Sequence, residues 1–101
     1  MKRVNITSVP AWSVDDILWD VERIYTRNSN AFSLDVARLK IENEVIDYLI
    51  KVPGLINASV DCNQHRMNAV VLEMEFRIKH RGRWTCSYTH APGQWIVVKN
   101  P

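Results

Sequence analysis

The chain has 101 residues and a mass of 11.8 kDa, enough for one domain with a single modest core and too few for two. Its 47% hydrophobic and 24% charged residues, with three glycines and four prolines, exclude disorder and low complexity. A net charge of +2 and a pI near 8.7 supply no global argument for nucleic-acid or membrane binding, so any such function must rest on local clusters.

The first twelve residues, MKRVNITSVPAW, are basic at the start but contain no continuous apolar core of signal-peptide length, and no run is long enough to span a bilayer. Synthesis in the cytoplasm is expected, with Cys62 and Cys86 as free thiols filling core positions and no cofactor. Asn5-Ile6-Thr7 and Asn57-Ala58-Ser59 match the glycosylation pattern, which has no meaning without secretion. Arg3 to Thr7 is a candidate edge strand.

A first helix is predicted at about residues 14–26. Ser13 suits the N-cap with Asp16 three residues on, and Trp12 is placed to pack on Ile17 as a hydrophobic staple. Val14, Ile17, Leu18, Val21, Ile24 and Tyr25 form one apolar stripe, while Asp15, Asp16, Asp20, Glu22 and Arg23 take the remaining circumference. Trp19 falls among the carboxylates, where it either anchors a partner or lies under the N-terminal strand.

Ser33 caps a second helix at about residues 34–51, ended by Pro53 and Gly54. Leu34, Ala37, Ile41, Val45, Tyr48 and Val52 form one stripe, and Val36, Leu39, Ile46 and Ile50 a second, roughly opposite. Lys40 with Glu44 and Asp47 with Lys51 are spaced for helical ion pairs. A helix apolar on so much of its surface is expected between the sheet and a second helix or another chain.

Beyond Gly54 the period changes to two. Strands are predicted at about 55–62, 68–79, 83–90 and 95–99, joined by short turn-rich connections, so an antiparallel meander is the economical arrangement. Ile56, Ala58, Val60 and Cys62 are assigned to its inner face, as are Val70, Leu72, Met74, Phe76 and Ile78, then Trp84, Cys86 and Tyr88. The last strand is apolar on both faces, Trp95 and Val97 on one and Ile96 and Val98 on the other, which marks it for strand addition. The fold class is therefore α+β, two N-terminal helices on one face of a mostly antiparallel meander of three to five strands.

Three constellations bear on chemistry. Cys62, His65, Cys86 and His90 are zinc-binding residue types, but in a meander Cys62 and His90 fall on strands flanking the central one, about 10 Å apart. Core packing explains the cysteines better, and no metal site is assigned. Arg77, Lys79, Arg81 and Arg83 flank Trp84 and Tyr88 in a basic hairpin with nucleic-acid-binding character, diluted by Glu73 and Glu75 on the same face. In order of elements the chain also resembles the small ribosome-dependent ribonuclease toxins of the RelE/ParE superfamily. That resemblance implies Arg77, Arg83, Tyr88 and His90 for phosphate binding and acid-base work.

The segment Phe32 to Lys79 carries a closer likeness. The run FSLDVARLKIENEVIDYLIKVPGLINASVD, a turn, then NAVVLEMEFRIK resembles the small lysozyme-like baseplate-wedge proteins of contractile phage tails and their type VI secretion relatives. In that family a helix ends at a proline-containing turn, here Val52-Pro53-Gly54-Leu55, and a long alternating strand follows a loop. The family turn characteristically reads Glu-Pro-Arg, where this chain has Val52 and Gly54, so the polar contact of those charges with neighbouring tail components is not carried over. The resemblance implies a non-enzymatic virion or assembly component that binds protein partners, itself included. Trp19, Val36, Leu39, Ile46, Ile50, Trp95, Ile96 and Val98 are the expected contact residues. A third reading makes the acidic first helix the contact surface of a small inhibitor of a host enzyme.

Overall fold

Ser13 sets the start of the first element. Its hydroxyl accepts a hydrogen bond from the Asp16 N–H at 3.0 Å while the Asp16 carboxylate accepts one from the Ser13 N–H at 3.2 Å, so two helix-end donors are satisfied reciprocally. Helix α1 runs from Val14 to Asn28. Trp12, expected over Ile17, packs on the core that contains it and also stacks on Tyr48 of the second helix with ring centroids 5.5 Å apart. The structure, a computed structural model, describes residues 12–30, 33–64, 70–89 and 93–101. The candidate strand Arg3 to Thr7 lies outside those residues.

Ser33 caps α2, Leu34–Leu49, by accepting from the Val36 N–H at 3.2 Å. The helix stops two residues earlier than predicted, and its last turn hands over to Val52, which is buried. Gly54 adopts φ +82°, where a side chain is strained, and its carbonyl accepts from the Lys79 N–H at 2.8 Å. Val52 is thus a core residue, and position 54 requires glycine.

Strands β1 (Leu55–Gln64), β2 (Val70–Ile78), β3 (Gly82–Thr89) and β4 (Gln94–Asn100) pair antiparallel in the order β1-β2-β3-β4, the expected meander. Both helices lie on one face. The inner residues of β2 are all buried, as are Cys62, Cys86 and Tyr88. Ile56 departs from its assignment: it is the extra residue of a bulge between Leu55 and Asn57 and is 53% exposed, while Leu55 turns toward the core in its place.

The helices are held to each other and to the sheet by polar contacts of differing burial. The Tyr25 hydroxyl donates to the Val70 carbonyl at 2.6 Å, and the Tyr48 hydroxyl donates to Asp20 at 2.7 Å. Glu44 pairs with Arg27 of α1 at 2.6 Å rather than being committed to Lys40. Hydrogen bonding from Arg27, then Asn28, holds its carboxyl below the ordinary 4.5. A lowered folded-state pKa stabilises above the unfolded value and is lost as pH falls through the folded one. Glu44→Gln is therefore expected to flatten the acid limb of a urea-midpoint titration, by less than about 1 kcal/mol because the pair is solvent-screened. An unchanged acid limb would remove the pair from the account of stability.

Candidate protein-interaction surface

An open sheet leaves two edges, and this chain treats them differently. At the β1 edge the backbone of Cys62 is clamped by α2: its N–H donates to the Glu42 carboxylate at 2.7 Å and its carbonyl accepts from the Arg38 Nε at 3.0 Å. Two side chains thus take the places a further strand would use. The bulge at Ile56 breaks the regular ladder of the same strand. Both are devices by which natural sheets prevent edge-to-edge pairing.

The β4 edge has neither device. Its register with β3 runs unbroken from Gln94 to Asn100, and among the described residues no strand or side chain covers its other side. Ile96 and Val98, on the outer face, are 64% and 51% exposed, and Val97, on the inner face, is 36% exposed. Val97 is therefore only partly covered, while at the opposite edge α2 reaches round to Cys62. Trp95, expected as a contact residue, is held within the chain. Its indole N–H donates to Glu22 at 3.2 Å and its ring lies 4.9 Å from that of Tyr88.

Trp19 is 66% exposed on α1, and the N-terminal strand expected over it lies outside the described residues. It borders an open groove of about 380 Å³ with Glu22, Arg23, Thr26 and Arg27. On α2, Val36, Leu39 and Ile50 form an exposed apolar row at 40%, 59% and 63%, whereas Ile46 is half-buried within it. Sequence reasoning missed Val97 and the Arg38–Glu42 clamp. Arg38 and Glu42 are four apart on one helix face, but that spacing ordinarily signals an intrahelical pair rather than a strand cap.

The basic hairpin is not concentrated. Arg77 and Arg83 are cross-strand neighbours on the outer face, with Glu75 4.0 Å from Arg83, while Lys79 and His80 occupy the turn. Trp84 turns inward, with the Lys99 ammonium 5.5 Å over its ring. Tyr88 is 2% exposed on the opposite side of the sheet from Arg77 and Arg83, edge-on to Tyr25 at 5.0 Å, and burial raises its pKa. The structure therefore does not bring Tyr88 together with the arginines of the nuclease reading, and His90 lies outside the described residues. Of the zinc-type residues, His65 and His90 also lie outside them. Cys62 and Cys86 are free, buried thiols pushed up to about 12, chiefly by burial, hence unreactive. Among the described residues no group of three or more His, Cys, Asp or Glu is placed to hold a metal ion, and no helix is long and apolar enough to cross a membrane.

No family model, no curated protein and no solved structure matches this chain.

Proposed function

We propose that this chain is a non-enzymatic assembly protein that works through protein-protein contacts, with β4 as its principal contact strand. One observation carries the reading. The same sheet guards its β1 edge with a charged clamp and a bulge, yet β4 is regular, apolar on both faces and uncovered among the described residues. An exposed regular edge is an aggregation hazard unless a partner occupies it. The apolar outer row of α2 offers a second surface on the far side of the molecule. The helix-to-strand pattern of residues 32–79 supports a place among virion or contractile-tail components, made in the cytoplasm and built into the particle.

The test is the paired substitution Ile96→Lys and Val98→Lys. Both side chains point to solvent, so the fold is expected to lose little, within about 0.5 kcal/mol per site. Tagged wild-type chain is expected to co-purify with itself or with a defined assembly component from its native source, and the lysine variant to lose that association. A wild-type protein that stays a monodisperse monomer and retrieves no partner overturns the proposal.

A further inference from the structure

We infer that the occupant of the β4 edge is a second copy of this chain, joined by antiparallel pairing of β4 with β4 about a two-fold axis at Val97. The inference rests on the assembly reading and names its first partner. Its basis is the self-complementarity of Gln94 to Asn100. With Val97 on the axis, all seven residues pair, the longest register the strand allows. On the inner face Val97 meets its own copy and Trp95 meets Lys99. On the outer face Ile96 meets Val98, and at each end Gln94 meets Asn100. No like charges face one another, and the lone cation is set beside an indole, a favourable partner. A shift of the axis to Val98 would set Val97 against Lys99 and shorten the ladder.

The helix layer agrees with this register. Glu22 meets Trp95, and Tyr25 meets Tyr88, the residue paired with Trp95, so Trp95 is level with the stretch of α1 between them. The N-terminal end of α1 points the other way, toward Tyr48 at the end of α2, so α1 runs antiparallel to β4. Two strand residues advance about 6.8 Å, or four to five helical residues at ~1.5 Å each, which sets Val97 level with Trp19. Asp20 and Arg27 define the flank of α1 turned to α2 and Glu22 the flank turned to β4, while Trp19 lies on the solvent side between them. α1 reaches Tyr88 and Trp95 while α2 packs on β1, so across the paired strands α1 is the helix of each copy nearer the other. Seven strand pairs alone make a small interface, and stable ones bury at least about 1,200 Å² in total, so the α1 flanks supply needed area.

Sedimentation of the full chain over a concentration series is expected to show a dimer. Val97→Arg, which sets two guanidinium groups on the axis, should weaken it at least about tenfold with an unchanged circular dichroism spectrum. Val97→Cys is the sharper probe. Antiparallel partners sit about 4.5–5.5 Å apart at Cα, within disulfide range, so mild oxidation should give a reducible dimer. Gln94→Cys should give none, because its copy lies roughly 20 Å away. The buried native thiols leave the readout clean. A Val97→Cys protein that does not cross-link, or cross-linking equal to that of Gln94→Cys, overturns the two-fold pairing. If the protein is then a monomer whose association with a different assembly component is lost on Ile96→Lys and Val98→Lys, the dimer fails while the assembly reading stands. A monomer with no partner overturns both.

Discussion

Phe76→Ala is expected to destabilise the fold by about 3–5 kcal/mol, the largest loss any single truncation in the sheet should produce. Phe76 is fully buried in β2, an interior strand bonded on both sides, with Ala58 and Trp84 as its cross-strand neighbours. Ala58 is too small to collapse into the void, and Trp84 is tied by its indole N–H to the Arg81 carbonyl at 3.2 Å. The cavity should therefore persist, adding to the lost transfer energy. Domains of this size are stable by about 5–15 kcal/mol, so the variant should remain folded in buffer but with a much lower urea midpoint at unchanged slope. Phe76→Leu, leaving a smaller void, should fall between. A loss below about 1 kcal/mol for the alanine variant would mean that the core does not centre on β2.

Much of this core was legible in the sequence because local period reports which face a residue takes. Val70 to Ile78 alternates without interruption, and all five inner residues are buried. The α1 stripe from Val14 to Tyr25 likewise faces the sheet and α2. Failures came where period gives way to tertiary geometry. Ile56 continues the alternation of its strand on paper, but a bulge turns it out. Leu49 belonged to neither stripe of the second helix and is nonetheless fully buried, because the helix ends beside it and the turn at Val52 closes over the same core. That Glu22, distant in sequence, ties Trp95 inward was not readable from a strand apolar on both faces. The candidate surface was half legible: Ile96, Val98 and Trp19 were readable as unsatisfied apolar residues. That α2 clamps β1 while β4 is uncovered among the described residues depends on how the helices sit across the sheet, which no local pattern encodes.

The clamp at Cys62 supplies the second large effect, because Glu42→Leu should change both stability and association. Without the carboxylate the Cys62 N–H loses its acceptor in a part-buried setting, and hydrogen bonds to charged groups contribute about 1.5–3 kcal/mol. A loss of roughly 1–2 kcal/mol is expected, since solvent partly compensates. Arg38→Leu should cost less, because a carbonyl tolerates a missing partner better than an N–H does. The double variant should lose less than the sum of the two, since both side chains hold one peptide segment. Glu42→Gln keeps an acceptor and should recover most of the loss. Association tests the role of the clamp beyond stability. A chain that pairs through β4 and has an unguarded β1 carries two adhesive edges, and head-to-tail contacts between unlike edges do not close. Glu42→Leu is accordingly expected to form higher oligomers on refolding, visible as rising light scattering, while Glu42→Gln does not. Faster amide exchange at Cys62 in the leucine variant would place the change at the clamp. Strict additivity of the two single variants, with Cys62 exchange and scattering unchanged, would reduce Arg38 and Glu42 to solvated surface residues and remove the asymmetry between the edges on which the β4 reading depends.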